Sequence, residues 1–168
     1  MSRPPRHAPT GPAAVDRAAQ AVHAKASPGH WEAVWRREAP EPVNLDDRGL
    51  RNHMNLLLGD FFARHLPAAA GPGEPPLLVE AGCGASAWLP VFATRHGYRV
   101  RGVDYSAQGC GLARAVLRKA GVEGEIFQAD LFNPPPELAP VLAGRADVVF
   151  SQGLVEHFCP TRGIVERL

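Results

Sequence analysis

The stretch Leu77-Leu78-Val79-Glu80-Ala81-Gly82-Cys83-Gly84-Ala85-Ser86-Ala87 decides the fold. A short apolar run ends in an acid, and two glycines separated by one residue follow. A run of that length bounded by turn residues reads as a buried strand. The glycines let the chain turn sharply and let a ligand approach the backbone closely. Residues 87–96 then read as a helix, and Gly97 suits its C-terminal end.

The pattern repeats downstream. Residues 99–103 form a second strand ending at Asp104. Ser106 is placed to cap a helix over 107–120, with Gly121 just past its end. Residues 125–129 make a third strand closed by Asp130, and Pro134 to Pro136 open a loop or short helix. Residues 146–151 make a fourth strand. Strands alternating with helices at this spacing predict an α/β fold, with a parallel sheet covered by helices on both faces.

Upstream the composition differs. Residues 1–29 are rich in Pro, Ala and Arg and lack large apolar side chains, so they are expected to be disordered. Residues 30–37 read as a short helix with Trp31 and Trp35 one turn apart, broken by Pro40 and Pro42. Residues 46–65 read as a longer helix whose apolar face carries Leu50, Met54, Leu57, Leu58, Phe61 and Phe62. The expected organisation is a disordered segment over 1–29, N-terminal helices over 30–68, and a ligand-binding domain over 76–168.

Among 168 residues, 45% are hydrophobic and 21% charged, which suits one globular domain. A net charge of +1 gives no electrostatic case for nucleic acid or an acidic membrane surface. No apolar run reaches the roughly 20 residues of a membrane span, and the N-terminus has no secretory core. Cys83, Cys110 and Cys159 sit at no metal-ligand or CxxC spacing. They are expected to be reduced thiols in a cytoplasmic protein, with no metal.

Ligands of open α/β sheets bind outside the carboxyl ends of the strands. Glu80, Asp104, Asp130 and Ser151 fall there. The glycine turn also fits the G-x-G-x-x-A dinucleotide fingerprint, with Asp104 downstream. Electrostatics separates the two ligands. A dinucleotide sets a doubly negative pyrophosphate on the glycine loop, where Glu80 would repel it. S-adenosylmethionine brings a sulfonium and an ammonium, both cationic, and no phosphate, so an acid beside the turn suits it better.

These residues resemble class I S-adenosylmethionine-dependent methyltransferases, a Rossmann-like superfamily. Glu80-Ala-Gly82-Cys83-Gly84 resembles its first motif, and Gly102-Val-Asp104-Tyr105-Ser106 its second-strand motif. Gln128-Ala-Asp130-Leu131-Phe132 and the run from Phe150 to Phe158 resemble the next two. The resemblance spans about Leu77 to Phe158 and implies S-adenosyl-L-methionine as cofactor. It implies that Glu80, Gly82, Cys83 and Gly84 line the methionine and ribose portion. Asp104 would accept from both ribose hydroxyls, and Tyr105 would pack on adenine. Asp130 would accept from the adenine amino group while the Leu131 backbone donates to the ring. Ser151 and Gln152 would flank the sulfonium. Ser86 stands where the family often has a third glycine.

Some residues keep two readings. Glu156 and His157 are the catalytic candidates, His157 as a general base or acceptor contact, or else as a packing residue at a helix start. Some relatives bind a metal with E-x-x-E-H, but Gly153 occupies the first position here. Trp31 and Trp35 form a lid or pack on the sheet. Trp88 is expected in the core, and Cys83 as a small buried filler rather than a nucleophile.

The expected function is methyl transfer to a small-molecule acceptor, with no nucleic acid or membrane partner. The alternative is an inactive cofactor-binding fragment needing a partner chain or further strands. About four of the family's seven strands are expected here. A strand over 146–151 without a neighbour would leave an apolar edge open to self-association. An NAD-dependent oxidoreductase survives through the glycine pattern alone.

Overall fold

The structure is a computed structural model that describes residues 23–24, 27–67, 73–136, 138 and 146–166. In chain order these form β1 (His23–Ala24), α1 (Pro28–Trp35), α2 (His53–His65), β2 (Leu77–Ala81), α3 (Leu89–His96) and β3 (Arg99–Asp104). Then come α4 (Ala107–Lys119), β4 (Glu125–Gln128), β5 (Val148–Phe150), β6 (Phe158–Cys159) and α5 (Thr161–Val165). The main sheet is parallel with order β4-β3-β2-β5. It is the expected α/β, Rossmann-like arrangement.

Alternation along the strands divides the core. Leu78, Val100 and Ile126 point to one face, where Phe62 of α2, Leu89 and Phe92 of α3, and Leu117 of α4 pack on them. Leu77, Val79 and Val103 point to the other, against Leu138 and Ala146 from the β4–β5 connection. Residues 139–145 of that connection lie outside the described residues.

Several boundaries differ from the sequence expectation, each for a local reason. The first helix starts at Pro28 because Ser27 caps it, accepting from the His30 amide at 3.3 Å, and proline suits the first turn. The second begins only at His53, after a tight turn over Leu50–Asn52. Before it, Asn44 and Asp47 side chains accept from the Asp46 and Gly49 amides at 3.0 and 2.8 Å, an alternative to helical hydrogen bonds. Its apolar face also divides. Phe62 is buried against Trp88, Phe92 and Phe150, whereas Leu50 is 95% and Met54 65% exposed, and Leu57 and Phe61 about half. β5 starts later than the expected residue 146, where the Asp147 carboxylate, 2.7 Å away, takes the Leu77 amide.

Of the stretch expected to be disordered, most lies outside the described residues. His23–Ala24 is an exception and pairs antiparallel with Phe158–Cys159. β5 lies at a sheet edge, with Val149 45% exposed. No helix among the described residues is long and apolar enough to cross a membrane.

Candidate functional site

The strand order sets the site's place. The chain runs outward from β2 through β3 to β4, then returns to put β5 on the other side of β2. The loops after β2 and β5 therefore diverge and open a crevice at their carboxyl ends. That crevice is a cavity of about 670 Å³, within the range of about 300–1,000 Å³ typical of ligand sites. Glu80, Gly82, Cys83 and Ser86 line it from the first loop, and Gln152, Gly153 and His157 from the second.

The glycine turn is tied to the end of β3. Gly82 and Cys83 amides both donate to the Val103 carbonyl, at 2.8 and 3.0 Å. The Gly84 amide donates to Asp104 Oδ2 at 2.8 Å, and Ser106 donates its own to Oδ1 at 2.7 Å. Burial pushes the Asp104 carboxyl up, and these two amides pull it back. Each oxygen keeps a further lone pair for a ligand hydroxyl. Gly82 and Gly84 have φ of +68° and +43°. The Trp35 indole lies where a Gly84 side chain would stand. Gly84→Ala is therefore expected to cost about 2 kcal/mol or more, from backbone strain and the collision. Gly111, exposed in α4 with open space around it, provides the contrast: Gly111→Ala should gain about 0.5–1 kcal/mol from helix propensity. Urea midpoints of both variants check the pair.

Glu80 is 3% exposed. Burial pushes its carboxyl up to about 8, against a lowering hydrogen bond from Ser86 Oγ at 2.5 Å. The same hydroxyl accepts from Trp88 and Leu89 amides at 3.2 and 3.4 Å and so starts α3. Sequence reading noted Ser86 only as a missing glycine. The available signal was a serine ahead of Leu89-Pro90, an N-cap arrangement.

Asp104, Tyr105, Asp130 and Leu131 border a narrow recess of about 20 Å³ that Leu154 and Phe158 close. Asp130 is exposed, and its Oδ1 accepts from the Phe132 amide at 2.9 Å, a turn-forming contact. Beside it, a cleft of about 40 Å³ runs under Trp31 and Trp35. Ser151 Oγ is buried with no hydrogen-bond partner among the described residues. Glu156 is exposed and lines none of these spaces. His157 borders both cavity and cleft, its ring 4.7 Å from that of Trp31.

Trp31 and Trp35 lie beside the site rather than on the sheet. Trp35 packs on the glycine turn and α4, while Trp31 stacks on Trp35 at 6.1 Å and faces the cavity. Glu32 fixes their helix by accepting from the Ala107 amide at 2.8 Å. Trp88 is buried on Phe62 and Phe92, with one side on the cavity. Cys83 is buried too; its hydrogen bond with Cys110 and its burial push the thiol well up, against a nucleophilic role. The three cysteines are free, and among the described residues no group of three metal-ligating side chains occurs.

Comparison with known proteins gives the same frame. The chain is 36% identical over 125 residues to a ribosomal RNA small subunit methyltransferase C of Alcanivorax borkumensis, covering 74% of this chain and 35% of the relative. It is 39% identical over 92 residues to a UDP-N-acetylmuramoylalanine–D-glutamate ligase of Bordetella parapertussis, covering 54% of this chain and 16% of that one. The chain thus spans about a third or less of these relatives. Among solved structures, magnesium protoporphyrin IX methyltransferase from Synechocystis with bound S-adenosylmethionine superposes at TM-score 0.54. Its identity is 19%, over 83% of this chain and 64% of the other. A family model described as a methyltransferase domain matches residues 78–167. With more than half its length in that match, the chain belongs to the methyltransferase-domain family.

Proposed function

We propose that this chain binds S-adenosyl-L-methionine and serves methyl transfer to a small-molecule acceptor in the cytoplasm. The observation that carries the reading is the convergence of Glu80, the positive-φ glycine turn and Asp104 at the β2 and β3 ends, beside a cavity of about 670 Å³.

The donor set fits this cofactor better than a dinucleotide. Two acidic side chains, Glu80 and Asp104, flank the turn, and no Lys or Arg lines the cavity or clefts among the described residues. A pyrophosphate would be repelled by the acids there, whereas a sulfonium and an ammonium would be drawn to them. Asp104 would hold the ribose hydroxyls, Tyr105, Asp130 and Leu131 the adenine, and the turn from Glu80 to Gly84 the methionine. Ser151 and Gln152 would lie by the sulfonium. The recess by Asp104 and Asp130 holds only about 20 Å³, so Leu154 and Phe158 would move aside to admit a nucleoside. When bound, the cofactor supplies a methyl group already activated by its sulfonium. The chain's own task is then to align the acceptor and exclude water.

The small-molecule assignment rests on the size of the cavity, the absence of cationic lining among the described residues and the net charge of +1. The ribosomal RNA relative is the counterweight. The second reading, an inactive cofactor-binding fragment that needs a partner chain, is favoured by the exposed Val149 edge.

Calorimetric titration of S-adenosylhomocysteine, with NAD as control, tests the cofactor. Saturable binding of the first alone is expected, and tighter NAD binding would sink the reading. His157 is proposed as base or acceptor contact. His157→Ala should cut turnover at least about tenfold while leaving S-adenosylhomocysteine affinity unchanged. Full turnover in that variant would remove the role.

A further inference from the structure

Every tryptophan of the chain borders the large cavity: the sequence has three, and Trp31, Trp35 and Trp88 all line it. The same walls carry three acidic side chains, Glu41, Asp47 and Glu80, the last with its carboxyl pushed up to about 8 by burial. They come from different parts of the chain, two from the segment before α2 and one from the end of β2. Glu41 is matched by Lys119, 2.5 Å away. Asp47 has no cationic partner among the described residues; its Oδ1 accepts from the Gly49 amide, leaving Oδ2 to the cavity's contents or solvent. The neighbouring amide of Asn52 is spent on the Asn44 and Asp47 carbonyls, at 2.6 and 2.8 Å. No Lys or Arg among the described residues lines the cavity to receive an anion.

Indole faces attract cations through the ring quadrupole, an effect worth from about twofold to thirtyfold in affinity. Carboxylates near such faces add attraction of the same sign. An anionic acceptor would meet those groups with no Lys or Arg among the described residues to compensate them. A neutral acceptor would gain from neither.

We propose that the acceptor carries a positive charge when it docks: a small protonated amine, held against the indoles of Trp31 and Trp35 with Asp47 as counter-charge, whose proton passes to His157 so that the freed nitrogen lone pair takes the methyl as the carbon–sulfur bond of the donor breaks and leaves S-adenosylhomocysteine. The proposal rests on the methyl-transfer reading and names the substrate class of that site. Glu80 stands at the glycine-turn end of the cavity, where the cofactor's own ammonium would engage it. Asp47 stands on the segment before α2, and the acceptor's charge is assigned there.

Because the chain has no other tryptophan, its intrinsic fluorescence reports on this cavity. The test titrates three probes of similar size into the chain saturated with S-adenosylhomocysteine: benzyltrimethylammonium, benzyl alcohol and phenylacetate. The ammonium should give a saturable change with at least about tenfold tighter binding than either other probe. Asp47→Asn, which keeps the Gly49 acceptor, should weaken it about threefold or more, and Trp31→Leu likewise, with melting curves showing both variants folded. Equal binding of the alcohol or phenylacetate would overturn the proposal. So would unchanged ammonium affinity in folded Asp47→Asn. Ammonium binding that S-adenosylhomocysteine abolishes would mean the probe occupies the cofactor's subsite, and the acceptor assignment falls. Failure of S-adenosylhomocysteine to bind at all, read separately by calorimetry, removes the methyl-transfer reading; cation binding without it would overturn the acceptor role.

Discussion

Glu80→Gln should flatten the chain's pH–stability profile between about pH 4.5 and pH 8. Glu80 is buried, and its carboxyl is pushed up from the ordinary 4.5 to about 8. The folded state therefore holds a proton that the unfolded chain gives up. A raised acid contributes stability that is complete below its unfolded pKa and is lost as pH rises through the folded one. The window here runs from about 4.5 to about 8. Within it the slope is about 1.4 kcal/mol per pH unit, so some 3 kcal/mol should disappear between pH 6 and pH 9. For a domain of this size that is on the order of 10 °C in melting temperature. The Asp104 carboxylate and the Cys83 thiol share the site, and Asp104 adds to the upward push. Glutamine keeps the shape and the Ser86 contact without the titration. The variant should match the parent near pH 4.5 and melt progressively higher than it up to pH 9. Parallel curves across that range would show that Glu80 is ionised in the folded chain.

Asp104→Ala should give the largest loss of ligand binding. The carboxylate joins three elements: it ends β3, takes the Gly84 amide of the glycine turn and takes the Ser106 amide ahead of α4. Charge-assisted bonds to buried donors are worth about 1.5–3 kcal/mol each. Losing both loosens the turn and removes the proposed acceptor for the ribose hydroxyls. S-adenosylhomocysteine affinity should fall roughly 100-fold or more, with melting lowered by several degrees. Asp104→Asn keeps one acceptor oxygen and should fall between. Because a loosened turn alone would also weaken binding, adenosine and methionine should be titrated separately. Loss confined to adenosine assigns Asp104 to the ribose; equal loss of both makes it a scaffold for the turn.

Local patterns carried much of this fold. The apolar runs at 77–81, 99–104 and 125–128 became strands within a residue or two of expectation, because each is bounded by turn residues that end pairing. Ser106 and Gly97 mark helix ends as their chemistry requires. The acids Glu80 and Asp104 come to one crevice because strand ends in a parallel sheet share an edge. Turn chemistry was harder to weigh. Asn44 and Asp47 delay α2 through side-chain bonds that compete with the helix. Just before β5, the Asp147 carboxylate takes the Leu77 amide.

By itself the sequence determined the alternation of strands and helices, the family and the acids and other residues at the strand ends, since all depend on near neighbours in the chain. Tertiary structure decided the rest. Only packing shows that α2 buries Phe62 and leaves Leu50 and Met54 in solvent, because amphipathicity states that a face exists, not how much of it finds a partner. Only packing puts Trp35 on Gly84, Leu154 on Gly82 and Ser86 on Glu80, turning a glycine motif into a cleft with a buried acid. Proton affinity and cavity lining arise from desolvation and proximity between distant segments, which no local pattern encodes.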